Sequence, residues 1–592
     1  MAIPNSLQKI PEAIMHNVRL ILAIGWLVLI ASMFYDPITP YFTQPGANTP
    51  FALKPEIYLN PERCVRVQGE CMEEQTFSMS NMIFWAMIVP AGILILMTTG
   101  HELWRRICPL SFLSQIPRSL GLVRQRKVIQ SDGTIAYETV KVAQDSWLGK
   151  NHLYLQFGLF IVGLAIRILF INGDRYALGT FLILTILSAI LVGYLYDGKS
   201  WCQYFCPMAP VQMIYVGPRA MWGTKAHTQT RPAITQSTCR TVDENGQEQS
   251  ACVGCKVGCI DIDSEQSYWQ ELEKPGRRLV QYGYLGMVIA FYLYFFLYSG
   301  DWKYYFTGAW SHEETIVSKL FDPGFYLYGQ TIPIPRAIAV FITFGVLTLA
   351  TYLLGLIVER LVRRVVWRGV PLSRQQAQHI TFTLFTVISF YTFFSYGARP
   401  TINRFPEWAV LGFNGIVVAA GAIWFMQTIG RTQHQYNRET AAATLRNQLR
   451  KIEVPQRILQ GRTIEQLSSD EIFTLVNAHR EFSKQVRFDS YISIVKDLLA
   501  DRTTSAMHSL EYCSGLRQDL GLSSEDHHRA IQTIAETDAD LLHAPASMTV
   551  PLKTRVLKTA PASLTAKVEN AKPKTAILPQ RPKTHVIKRK DK

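Results

Sequence analysis

Seven of the chain's ten cysteines are spaced so that they could do chemistry. The stretch "STCRTVDENGQEQSACVGCKVGCIDID" (237–263) carries Cys239, Cys252, Cys255 and Cys259, and "SWCQYFCPMAP" (200–210) carries Cys202 and Cys206. The seventh, Cys108 in "RRICPLS", is followed by a proline, as Cys206 is. Gaps of two and then three residues let the 252–259 thiolates turn around one iron–sulfur centre, with Cys239 as a remote fourth ligand. Gly254 and Gly258 supply the unusual dihedrals such a wrap needs. Four thiolates also make a structural zinc site, and inert thiols are the plain alternative. The Cys202–Cys206 pair favours iron–sulfur, because an electron relay needs a second centre nearby and a structural zinc does not. Cys108, Cys202 and Cys206 are the thiolates for that second centre, and each proline holds the cysteine before it extended and ends its helix.

Other assignments of the same residues stay open. In two-cluster ferredoxins a cysteine before proline ligates the other cluster, so Cys206 could cross to the 252–259 run and leave Cys239 to Cys108 and Cys202. His101, seven residues before Cys108, could share its helical face as a ligand, or be a polar helix end beside Glu102. The Cys202–Cys206 pair could instead handle protons or a quinone head group. Lys199, Lys256 and nearby arginines would stabilise a more negative, reduced centre.

The elements that must position these residues are apolar blocks. Eight of them, near 18–35, 82–99, 153–171, 177–196, 280–299, 335–357, 379–397 and 408–427, are long enough to cross a bilayer as helices. The chain reads as an all-α polytopic membrane protein. Lys and Arg concentrate in 100–152, 197–279, 358–378 and the tail, whereas 36–81 carries Glu56, Glu62, Glu70, Glu73 and Glu74. The positive-inside rule places both termini and the cysteine loops in the cytoplasm. The net charge of +15 follows largely from this topology and the last forty residues, and with no nucleic-acid motif beside it no nucleic-acid partner is expected. Cys64 and Cys71 fall in the outer loop, where a disulfide could form or two thiols stay free. Arg167, near the end of its span, is expected to snorkel, and the aromatic segment 300–335 to sit at the interface.

Helix, Cys-Pro loop, helical hairpin, Cys-x3-Cys-Pro loop and ferredoxin-type cysteines, over roughly 80–300, resemble the membrane polyferredoxins that serve periplasmic nitrate reductase and nitrous oxide reductase maturation. The resemblance implies one or two cytoplasm-facing [4Fe–4S] clusters and membrane electron transfer, with quinone as a candidate reactant. The chain departs from that pattern where Trp104 replaces the first cysteine of the first Cys-x3-Cys-Pro motif.

The organisation expected is a first segment and helix (1–35), an outer loop (36–81), a polyferredoxin-like core (82–300), further membrane helices (301–427), a helical cytoplasmic domain (436–543) and a basic disordered tail (545–592). In the helical domain Ser468 with Glu471 fits a capping box, Gly521 a helix stop, and Cys513 a core position. From Lys553 onward twelve Lys/Arg stand against two acids, a composition suited to anionic lipid. The function expected is membrane-bound iron–sulfur electron transfer between a cytoplasmic or quinol donor and a membrane or outer-face acceptor, in a bacterial inner membrane. Unidentified redox proteins would be its partners. A regulatory or assembly protein, with the metal as a structural or redox-sensing element and the helical tail binding a partner, is the alternative. A transporter comes third, since few ionisable residues interrupt the spans. No catalytic residues are assigned.

Overall fold

The computed structural model describes residues 10–53, 64–72, 75–129, 135–228, 239–242, 248–250, 252–253, 255–256, 259–364, 366–367, 370–450, 459, 461–478, 484–500 and 506–537. Gly254, Gly258 and the basic tail lie outside them. Eight helices are long and apolar enough to cross a membrane: α1 (Ile14–Phe34), α2 (Ser80–Thr98), α3 (Trp147–Ile171), α4 (Arg175–Leu195), α5 (Arg277–Ser299), α6 (Arg336–Arg364), α7 (Arg374–Ile402) and α8 (Glu407–Thr428). Among the described residues the strands form only two-stranded hairpins.

Burial orders the bundle. In α5 78% of the apolar window is buried, against 22% in α1 and α8, so α5 is the hub and those two are peripheral. Lipid cannot drive apolar faces together, so close packing of small residues must do it. A Cβ at Gly286 of α5 would stand 2.1 Å from the Leu347 carbonyl oxygen, and one at Gly355 of α6 would stand 2.2 Å from Tyr282 Cγ. These two glycines let α5 and α6 touch, backbone to backbone at Gly286 and backbone to side chain at Gly355.

The backbone widens into π-turns at Ile83–Ile88, Arg167–Ile171 and Trp201–Phe205, a local form often met at functional sites. The first two converge on Arg167, which does not snorkel. Its guanidinium lies 3.8 Å over the Trp85 ring and 4.4 Å over Phe291, and its Nε donates to Asn172 Oδ1 at 3.0 Å. Aromatic faces and one amide replace the water that snorkelling would reach. The segment between α5 and α6 also turns inward: Tyr304, Tyr305 and Trp310 are buried, with ring centroids 4.9–6.1 Å from Phe295. Large rings gain more by covering the end of α5 than by lying at an interface.

At the same end, Cys64 and Cys71 are joined as a disulfide across the hairpin Arg66–Val67/Glu70–Cys71. Its turn residue Gln68 docks on the bundle, N–H to the Ser299 carbonyl at 2.9 Å and side chain to the Pro323 carbonyl at 2.8 Å. After α8 come the helices Gln433–Leu449, Ser469–Ala478, Lys484–Ala500, Ala506–Asp519 and Ser524–Thr537. They share a separate core that includes Leu445, Val476, Tyr491, Leu516 and Ile534, with Cys513 inside it. Ser468 and Glu471 do form a reciprocal cap, and Gly521 has φ +60° at its helix end.

Candidate metal centre

Cys239, Cys252, Cys255 and Cys259 line one cavity together with Gly198, Lys199, Lys256 and Asp261. The end of α4 places them. Beyond Leu195 the chain turns through Gly198, whose φ of +75° suits glycine and whose carbonyl accepts from the Gln115 side chain at 3.0 Å. A Cβ there would fall 2.6 Å from Cys255 Cβ and 3.1 Å from its Sγ. The next residue, Lys199, gives its backbone N–H to the Cys255 thiol. Gln203 Nε2 donates to Cys259 Sγ at 3.5 Å, and Tyr204 Oη to the Cys255 carbonyl at 3.2 Å. Lys141 Nζ donates to the Val253 carbonyl. Thus the loop after α4 holds the cysteines of a later loop.

Burial pushes the Cys239, Cys255 and Cys259 thiols up. A buried thiol stays protonated unless a cation takes the proton's place, and an all-sulfur donor set selects iron–sulfur clusters or zinc. Among the described residues no three His, Cys, Asp or Glu side chains are grouped to hold a single metal ion. The four cysteines line one cavity and give it an all-sulfur donor set of the kind that iron–sulfur clusters and zinc both use.

Cys108, Cys202 and Cys206 form the second group. Cys108 ends the helix Gly100–Ile107 and caps Pro109–Leu113 with φ −65° and ψ 116°; Cys206 closes the π-turn with φ −58° and ψ 119°. The two Cys-Pro corners therefore share one backbone conformation. Cys108 accepts the N–H groups of Ser111 and Leu110, and Cys206 that of Met208. Burial, with Cys202 alongside, pushes the Cys108 thiol up to about 11. Burial pushes Cys206 up too, with Cys202 and then Cys108 adding to it. Leu110 packs on the apolar cluster that contains Cys202 and Cys206. Trp104, by contrast, lays its ring on α2, where a Cβ at Gly92 would meet it at 2.9 Å.

Between the two groups lies a charge network of which reading the sequence anticipated Lys199 and nearby arginines but missed the carboxylate, Asp261. Arg105 Nη1 bonds Asp261 Oδ2 at 2.8 Å, and Lys199 Nζ stands 3.6 Å from the same oxygen; all three side chains are nearly inaccessible. Burial works against the Asp261 charge, but Arg105 and Lys199 hold its carboxyl below the usual carboxylate range. The Asp261 N–H caps Cys259. The Arg105 charge is felt at Cys202 and Cys259, and at Cys108 and Cys206. His101 sits beside Arg105, Asp261 and Gln212; burial, then Arg105, drops it to about 3, so it is a neutral imidazole at pH 7. The only signal in sequence is position: Arg105 three residues before Cys108, Asp261 two after Cys259.

Residues 179–219 match the family model of a 4Fe-4S binding domain. The match runs from within α4 through Cys202, Cys206 and Pro207, so this region has the character of an iron–sulfur protein. No curated protein and no solved structure matches the chain.

The loop that carries Cys239–Cys259 and the segment before it are also tied to the chain after α8. Asp263 caps the helix Ser264–Glu271 through the N–H groups of Glu265 and Gln266, and its other oxygen accepts from Tyr436 Oη at 2.9 Å. Arg431 Nε bonds Glu265 at 2.6 Å, and His227 Nε2 meets Glu439 at 2.7 Å.

Proposed function

We propose that the chain is a membrane-bound iron–sulfur electron-transfer protein related to the membrane polyferredoxins. Cys239, Cys252, Cys255 and Cys259 hold one [4Fe–4S] cluster, and Cys108, Cys202 and Cys206 hold a second. The observation that carries the reading is the lining of one cavity by four cysteines, together with a preceding segment that matches a 4Fe-4S binding domain. When bound, such a cluster supplies a one-electron couple whose potential the surroundings set. The chain's part is to bury Cys202 and Cys206, to present the Lys199 and Asp261 amides, and to balance the sulfur charge with Lys199 and Arg105. The cysteine-bearing end faces the cytoplasm of a bacterial inner membrane by the positive-inside rule. Electrons pass between a cytoplasmic or quinol donor and an acceptor in the membrane or at its outer face.

A second reading draws on the Tyr436–Asp263 and Arg431–Glu265 ties. There the metal is a redox-sensing element whose state is passed to the helical domain, which binds a partner. Potentiometric titration of the anaerobically purified full-length protein in nanodiscs separates the two. Electron transfer predicts a reversible one-electron couple; a bound metal that stays redox-silent throughout contradicts it.

A further inference from the structure

The π-turn that carries one cysteine group also reaches the other. Cys202 lies within the turn Trp201–Phe205 and Cys206 closes it. The two residues that follow Cys202 bond to the loop of the neighbouring group: Gln203 Nε2 donates to Cys259 Sγ at 3.5 Å, and Tyr204 Oη to the Cys255 carbonyl at 3.2 Å. One side chain and one hydrogen bond therefore connect the residue next to Cys202 with the sulfur of Cys259.

Gln203 is held in this place. Its backbone N–H donates to the Lys199 carbonyl at 3.0 Å, and its own carbonyl accepts from Gln156 Nε2 of α3 at 3.2 Å. The residue is 4% exposed, and a buried amide needs partners that an apolar side chain would not. Here the donor is spent on sulfur. A cysteine sulfur bound to iron accepts hydrogen bonds and cannot donate them, so the amide must present its nitrogen. A donor at a ligand sulfur favours the more negative, reduced form of a cluster and raises its potential.

We infer that Gln203 tunes the Cys239–Cys259 centre: the turn that ligates one centre sets the potential of the other through the Gln203 amide and the Cys259 sulfur. The inference rests on the proposed reading that both cysteine groups hold clusters. Gln203 is not itself a ligand, and Gln156 acts behind it by fixing its peptide.

The test is potentiometric titration, followed by electron paramagnetic resonance, of anaerobic full-length protein in nanodiscs as wild type, Gln203→Met and Gln203→Leu. Both substitutions remove the donor but differ in shape, so a shared shift reports the hydrogen bond and not the packing. The signal that Cys255→Ser removes should move to lower potential in both, by about tenfold in the reduction equilibrium, or about 59 mV for one electron. The signal that Cys206→Ser removes should keep its potential. A second arm needs no variant to fold: wild type carrying 15N in its glutamine side-chain amides should show 15N coupling on the Cys255-sensitive signal by electron–nuclear double resonance. Unmoved potentials in both variants, or no 15N coupling in wild type, overturns the inference while leaving electron transfer through the clusters intact. A chain with no iron defeats the functional reading itself.

Discussion

Gly198→Val should empty the Cys239–Cys259 site while leaving the membrane bundle in place. Two independent effects act at this position. A φ of +75° is costly for any residue with a Cβ and worst for a β-branched one, at about 1–3 kcal/mol. The added carbon would also lie 2.6 Å from Cys255 Cβ and 2.9 Å from Val253 Cγ2, which pushes the cysteine loop off the strap that carries the Lys199 amide. Because Gly198 lies beyond the last residue of α4, insertion of the helices is unaffected. The expected readout is loss of about half the iron, with unchanged yield in the membrane fraction. Gly345→Ala is the control: nothing lies within 4 Å of a Cβ at Gly345 in α6, and iron content should not change.

Asp261→Asn should have the largest effect on stability of any single charge removal near the site. It leaves Arg105 and Lys199, both essentially inaccessible, without their shared counter-charge. Removing one partner of a buried pair typically costs about 3–5 kcal/mol, because the remaining charge is left in a poor solvent. By contrast, Glu138→Gln breaks the exposed Arg126–Glu138 contact at 3.5 Å and should cost under about 1 kcal/mol. Thermal unfolding in nanodiscs reads the difference directly. The double variant Asp261→Asn/Lys199→Met should recover part of the loss, since one orphaned cation goes with the carboxylate. An Asp261→Asn protein as stable as wild type would mean that the triad does not hold the two loops together.

The spans were legible because an apolar block of about 20 residues has few other fates, and all eight blocks correspond to long apolar helices. The two Cys-Pro corners were legible as a pair, since proline constrains the residue before it wherever it occurs, and their dihedrals agree closely. What the sequence hid is of two kinds. Arg105 and Asp261 are 156 positions apart, and neither residue type signals that it will be buried; only folding brings them to one oxygen. Arg167 misled for a related reason. Its place near a span end suggests a route to water, and the Trp85 and Phe291 rings that cage it instead come from other helices. The π-turns leave no mark in hydrophobic periodicity, because one extra residue per turn falls within its scatter. The Tyr436–Asp263 tie joins a helix and a cysteine-bearing loop that were read as separate regions.

The most direct measurement is iron and acid-labile sulfide counting with electron paramagnetic resonance, on anaerobic wild type and on Cys239→Ser and Cys206→Ser separately. Each variant is predicted to lose its own signal, with the signal lost in Cys239→Ser retained in Cys206→Ser and the reverse. If Cys239→Ser leaves every signal and the full iron content in place, Cys239 is not the fourth thiolate and the cluster assignment is wrong.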